Sequence, residues 1–305
     1  MIAMVLTLSL VFEPVHAAHS MTAVVYPDVR EPYDQIFQAF TEGVKSSKEG
    51  TVLPRKLNTD TTSAELLSWL SQHKVDGIIA LGNRSANLIQ QLDKTMSPPA
   101  IIGATFLTPS STLGGISMAP APRELFQQLI LLAPKVKTIH VIYTGGEQDW
   151  LIAQAQAAAS ELGLTLNTHA TSDMRELAVS YRGVLKNQQK DTEALWLPQS
   201  GISLEKAVMN TVLSQSWKRN LIVFSSNLAD VRKGVLFSKY PNNKLVGEKL
   251  FNLLTQLKKN PSEKAHVYLA EDLFSALNTR TADHLGLRIK KEDKRKYMLL
   301  FPMSK

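Results

Sequence analysis

Two short loops carry residue types that hold small polar solutes. Gly82, Asn83, Arg84 and Ser85 follow the apolar run VDGIIAL, and Pro198, Gln199, Ser200 and Gly201 follow EALWL. Each loop precedes a segment with helical periodicity, SANLIQQL in the first case and SLEKAVMNTVL in the second. A helix N-terminus aims free backbone N–H groups and a partial positive charge at whatever lies beyond it. The first loop therefore reads as a cradle for a carboxylate or other electron-rich group, or as an ordinary strand-to-helix turn with a Ser/Asn cap. A second loop facing it favours the cradle, with neutral hydrogen bonds from Gln199 and Ser200. Gly145 and Gly146, after TIHVIYT, let a ligand approach the backbone or form a plain turn with equal warrant. Tyr26 and Trp150 either stack on a ligand or pack in the core. Tyr26 is the better candidate because it ends the first apolar run.

Catalytic constellations are poor by comparison. Ser203-x-x-Lys206 has the spacing of a serine nucleophile with its lysine, but no Ser-Asp-Asn or Lys-Thr-Gly accompanies it. The seven histidines form no i, i+4 pair and no pair spaced along the chain for zinc. No Gly-x-Ser-x-Gly elbow and no phosphate loop of the Gly-x4-Gly-Lys type occurs. The reading is a binding protein rather than an enzyme, with no cofactor.

The elements that must position these loops repeat. Residues 21–27 (MTAVVYP) form a first strand, and 33–44 a helix with Ile36, Phe37, Phe40 and Val44 on one face. Residues 52–57 form a strand, and Thr62-x-x-Glu65 caps a helix over 63–73. Strands at 76–81 and 100–104 bracket a helix starting at Ser85. The same order restarts at 138–143, with a helix over 150–162 stopped by Gly163 and a strand at 164–169. A second capped helix opens at Asp173-x-x-Glu176, followed by a strand at 193–197, a helix over 203–216 and a strand at 220–224. Continuous apolar strands of this kind belong to parallel sheets covered on both faces. Extended segments at 114–118 and 234–238, each followed by a proline-containing connector, join the two units. The expectation is an α/β protein of two Rossmann-like lobes with parallel sheets flanked by helices, joined by a hinge. Lobe 1 takes residues 20–117 and 241–264, and lobe 2 takes 118–240. The segment 265–305 is left without a lobe. An amphipathic helix over 244–258 should return to lobe 1.

Bulk composition narrows the class. A chain of 305 residues with 44% hydrophobic and 20% charged residues can build an ordinary core. Cysteine is absent, which excludes disulfides and thiolate chemistry. The 34 basic against 27 acidic residues are spread without interleaved aromatics, so nucleic acid is not an expected partner. Residues 1–12 are apolar but too short to span a bilayer, and Val15-His16-Ala17 fits a signal cleavage site. The expectation is removal of residues 1–17, export to the periplasm, no stable membrane insertion and a monomeric state.

The stretches KVDGIIALGNRSANLI, TLGGISM, HVIYTGGEQDW, KGVLFSKYPNNKLVGEKLFNLL and ALNTRTADHLGLRI, in that order, carry a resemblance. The chain resembles the substrate-binding proteins of ABC importers with the type I periplasmic-binding-protein fold, in particular the tryptophan/tyrosine-type subgroup. The resemblance implies a small-molecule ligand (a carboxylate, neutral or aromatic solute) and an ABC permease as partner. It implies ligand contacts at Tyr26, Gly82, Asn83, Ser85, Thr144, Gly145, Gly146, Gln199, Ser200, Ser225 and Asn227. Such proteins commonly place an Asp after a strand of the second lobe to hold an ammonium group. Here those loops read Pro198-Gln199-Ser200 and Ser225-Ser226-Asn227, without a carboxylate. That departure weighs against a free amino acid and keeps a rival reading, a periplasmic sensor or envelope regulator that uses the fold for protein–protein contact.

Overall fold

The structure is a computed structural model that describes residues 20–92, 98–199, 206–260 and 266–303. The expected signal segment, Ser200 and the first residues of the helix after EALWL lie outside the described residues. The chain first lays down β1 (Met21–Pro27), α1 (Tyr33–Ser46), β2 (Thr51–Leu57), α2 (Ser63–Gln72), β3 (Gly77–Leu81), α3 (Gly82–Leu92), β4 (Ala100–Thr105) and β5 (Gly115–Pro120). It continues with α4 (Pro122–Leu132), β6 (Thr138–Thr144), α5 (Asp149–Glu161), β7 (Thr165–Thr171), α6 (Met174–Asn187), β8 (Glu193–Leu197), α7 (Lys206–Arg219), β9 (Ile222–Ser225), α8 (Leu228–Lys233) and β10 (Phe237–Pro241). Last come α9 (Asn243–Lys259), β11 (Val267–Ala270), β12 (Leu273–Asn278), α10 (Thr279–His284), α11 (Lys291–Lys294) and β13 (Leu299–Phe301).

Two sheets result. The first has the order β11-β5-β4-β3-β1-β2 and the second β13-β12-β10-β9-β8-β6-β7. Every pairing is parallel except β10 with β12. All five residues of β3 are buried, as a strand covered on both faces requires. Pro54 sits in β2, the sheet edge, where a missing backbone donor is tolerated. In the first lobe, α2 and α3 cover one face through Leu66, Leu70, Ala86 and Ile89. The other face is covered by α1 and α9, whose Phe40, Val44, Leu250 and Leu254 pack with Val24, Ile79 and Ile101. The second lobe repeats the plan, with α4 and α5 on one face and α6 and α7 on the other.

The chain passes between the sheets three times, after β5, after β10 and after β11. The passages lie side by side. Ala121 N–H donates to Ala270 O at 2.8 Å, and Asn242 N–H donates to Asp272 O at 2.8 Å. Lys249 Nζ is 2.8 Å from Asp272 Oδ2, and hydrogen bonding to that carboxylate raises the lysine pKa. The third passage, at 271–272, goes beyond the two connectors read from the sequence. It divides the C-terminal segment, with β11 in the first sheet and β12 and β13 in the second.

Other differences have local causes. The polar loop expected at 82–84 is absent: α3 starts at Gly82, directly after β3. Gly82 makes the turn in one residue by adopting φ +82°, a conformation that favours glycine. The connector around Pro122 opens a full helix, α4, with that proline in its first turn where no N–H is needed. Short α8 is capped by Asn227, whose side chain accepts from Ala229 N–H. The capping box at Thr62 and Glu65 is present on both sides. At Asp173 only half of it forms, because Glu176 instead accepts from Ser172 N–H and Oγ, each at 2.8 Å.

Candidate functional site

The loops at the carboxyl ends of the strands meet next to the passages, which is where open α/β sheets bind ligands. A small cleft there is lined by Phe106, Leu107 and Thr108 after β4, by Glu147, Gln148, Trp150 and Leu151 after β6, by Gln199 after β8, and by Ser117 and Ala119 of β5. Two lobes and the hinge thus contribute to one wall. Ser117 fixes the first-lobe side, since its buried Oγ accepts from Leu107 N–H at 3.0 Å. Phe106 is an exposed large aromatic on that side, and half-buried Trp150 stands on the other. Glu147 is exposed and makes no ion pair among the described residues. The Oε1 of Gln148 is buried and has no hydrogen-bond partner. The volume of the cleft is only about 60 Å³. A much larger groove of about 470 Å³ runs along the hinge flank between α5 and α9, and Trp150 lies at its boundary with the cleft. That groove is lined mainly by the facing flanks of α5 and α9 and by β11 with the hinge residues 121 and 271–272, not by the loops after β4 and β8, so its size alone does not make it the site.

Of the residues singled out in the sequence, Gln199 and Trp150 reach this cleft. The first-lobe loop opposite them is 106–108, one strand over from Gly82. Asn83 is tied to that loop's strand, because its Oδ1 accepts from Thr105 Oγ1. Arg84 is committed elsewhere: its guanidinium donates to the carbonyls of Asn58 and Thr59, each at 2.6 Å. Ser85 is fully buried and its Oγ has no partner. Tyr26 is buried and stacks on Phe37 with ring centroids 5.7 Å apart. Burial pushes its hydroxyl pKa up, and Lys56 nearby pulls it back. Lys56 itself pairs with Asp34 at 2.9 Å and with Asp28 at 3.8 Å.

The second-lobe candidates are largely engaged within the fold. Gly145 N–H donates to Thr171 O, and Gly146 N–H donates to Asp149 Oδ2 at 3.0 Å, which closes the turn after Thr144 on itself. Burial, then the Asp149 carboxylate, raises the Tyr143 pKa beside it. Ser225 is buried and donates to Asp230 Oδ2 at 2.8 Å. Asn227 is the α8 cap described above. The histidines that were far apart in sequence do meet. His140 Nδ1 lies 3.4 Å from His169 Nε2, and His140 Nε2 lies 3.0 Å from Glu193 Oε2. Both nitrogens of His140 are engaged, and burial followed by His140 lowers the His169 pKa.

Phe106, Thr108, Glu147 and Gln148 are the cleft residues with recognition groups on loops that the sequence reading did not single out; Leu107, Ser117, Ala119 and Leu151 complete the lining. One signal for the first four existed: they follow β4 and β6 at the carboxyl ends of parallel strands, where open α/β sheets bind ligands. The loop at 105–113 and the Glu147 position beside the glycine pair were therefore findable.

No family model matches the chain, and no curated protein matches it. Solved structures do. An ABC domain from Streptococcus pneumonia, determined in complex with L-Trp, superimposes with a TM-score of 0.55 at 18% identity over 93% of this chain and 100% of that one. The ligand-free, open structure of a substrate-binding protein with adhesive properties from Clostridium difficile gives 0.62 at 16% identity, over 92% of this chain and 98% of that one. A conserved domain protein from Vibrio cholerae gives 0.52 at 13% identity, over 92% and 99%. With its two parallel-dominated sheets, flanking helices and triple passage between lobes, this chain has the type I periplasmic-binding-protein fold.

Proposed function

We propose that the protein is an exported solute-binding protein that captures a small polar or aromatic ligand between its lobes and presents it to an ABC permease. The observation that carries this reading is the cleft itself, to which both lobes bring unpaired recognition groups at the hinge. Phe106 and Trp150 offer flat apolar surfaces from opposite lobes. Gln148 and Gln199 offer amides, and Glu147 offers a carboxylate with no ion-pair partner among the described residues. The volume of about 60 Å³ is far below the roughly 300–1,000 Å³ of typical ligand sites. A solute therefore enters by a hinge movement at the three passages, and differential affinity for the two hinge states would supply the signal to a permease. No helix among the described residues is long and apolar enough to cross a membrane.

The cleft also changes the expected ligand chemistry. The missing carboxylate after β8 and β9 argued against a free amino acid. Glu147 provides one from the β6 loop, so an aromatic amino acid becomes the first ligand to test, in line with the L-Trp bound by the pneumococcal structure. Calorimetry against tryptophan, its deaminated acid and the neutral amide of that acid checks this. Charged hydrogen bonds contribute about 1.5–3 kcal/mol and neutral ones about 0.5–1.5. Glu147→Gln should weaken the ammonium-bearing ligand about 10- to 100-fold and leave the deaminated acid unaffected. Gln199→Ala should weaken all three by no more than about tenfold. Equal loss for all three ligands on Glu147→Gln would mean that the carboxylate does not read the ammonium group.

A further inference from the structure

We propose a second ligand site at the far pole of the second lobe, for a small amphipathic anion with one apolar body and one carboxylate or comparable anionic group. A cavity of about 590 Å³ opens there, remote from the cleft. It lies between the C-terminal turns of α7 and α8, helix α10 and the end of β13. Helices α7 and α8 both run from the cleft edge of the sheet to the opposite edge, so their last turns are at the pole away from the hinge.

The floor is apolar, formed by Leu213, Leu221, Leu285 and Phe301. The rim is cationic, with Lys218, Arg232, Lys233 and Arg280, and no carboxylate lines the cavity. Of these cations only Lys233 is paired, to Asp230 at 3.1 Å. Arg232 and Arg280 form no ion pair among the described residues. Each instead sits by an aromatic face, Arg232 at 6.0 Å from the Phe301 ring centre and Arg280 at 5.4 Å from that of Trp217. Two guanidinium groups beside an apolar floor, with no acid to neutralise them, complement an anion that carries hydrocarbon.

The frame is built rather than loose. The Trp217 indole stacks flat on His284, with ring centres 3.7 Å apart at 4°, and the His284 ring is also 2.9 Å from Trp217 O. Thr281 Oγ1 donates to Gly234 O at 2.8 Å, and Thr279 Oγ1 donates to Phe301 O at 3.0 Å. Four chain segments are thereby held in register around the opening, and the volume falls within the range of small-molecule sites.

The test is calorimetry of the intact chain with octanoate, 1-octanol and acetate as probes. Octanoate should bind, and 1-octanol and acetate should each bind at least tenfold more weakly, because each lacks one half of the recognition. The double substitution Arg232→Ala with Arg280→Ala should weaken octanoate at least tenfold, and Arg232→Lys with Arg280→Lys should restore part of it. Ser214→Trp, which fills the opening from α7 without altering a charge, should abolish binding and covers the case in which the arginine variant misfolds. Trp150→Ala in the cleft should leave octanoate unaffected, which separates this site from the proposed transport ligand. The proposal is overturned by absence of octanoate binding at millimolar concentration, by unchanged affinity in the arginine and Ser214→Trp variants, by acetate binding as well as octanoate, or by loss on Trp150→Ala alone.

Discussion

Replacement of Gly247 by alanine should destabilise the first lobe by about 3 kcal/mol, at the upper end of overpacking costs. Helix propensity alone points the other way, since alanine in a helix interior is about 1 kcal/mol better than glycine. The steric effect wins because α1 and α9 cross backbone to backbone. A Cβ at Gly247 would lie 2.2 Å from Phe40 O, and one at Gly43 would lie 1.9 Å from Lys244 O. Those neighbours are main-chain atoms in helices and cannot swing aside. The two helices would have to separate, loosening Leu250 and Leu254 from Val24, Ile79 and Ile101. Urea denaturation of Gly247→Ala measures the effect. An unchanged or raised midpoint would show that the crossing has slack.

Trp196→Ala should cost the second lobe about 4 kcal/mol, within the 3–5 kcal/mol usual for a buried Trp. Trp196 is completely buried on β8, meets Phe126 edge-on at 5.5 Å, and donates its indole N–H to Ser226 Oγ at 2.9 Å. Truncation leaves a cavity and removes the donor to a buried hydroxyl. The effect should reach the cleft, because β8 leads into Gln199 and Ser226 belongs to the loop after β9. Trp196→Phe should recover most of the stability while leaving Ser226 without its donor. A loss below about 1 kcal/mol for Trp196→Ala would contradict the packing described, given the transfer cost of so large a side chain.

The fold was legible because its signals are local. Runs such as GIIAL and EALWL, the Thr62–Glu65 box and the Gly163 stop each specify an element from a few neighbouring residues. The helix α9 could be assigned to the first lobe because the connector at Tyr240-Pro241 carries the chain back across, which leaves its apolar face to cover the first sheet. The third passage was not legible: 271–272 has no proline or glycine to mark it, and β13 is only three residues long. The site was less legible than the fold for a physical reason. Strand-end loops contain the same Ser, Asn and Gly that close turns, so Ser225, Asn227 and Gly146 look alike whether they bind solute or backbone. Only the folded chain shows that Ser225 is bonded to Asp230 and that Arg84 holds the turn at 58–61. Glu147 escaped because its loop read as a glycine turn, although it is the one acidic residue lining the cleft.

The central claim is that solute binding closes the lobes over the cleft. The chain has no cysteine, so paired labels can be placed cleanly at Asp60→Cys and Arg175→Cys. Both positions are exposed, and both follow the edge strands farthest from the hinge, β2 and β7, where closure moves the lobes most. Pulsed electron resonance should give a label distance distribution that shifts shorter on addition of tryptophan or whichever analogue binds by calorimetry. The shift should require far more of an ammonium-bearing ligand in the Glu147→Gln background. A bound ligand that leaves the distribution unchanged, or one that shifts it equally in both backgrounds at the same concentration, would contradict the account.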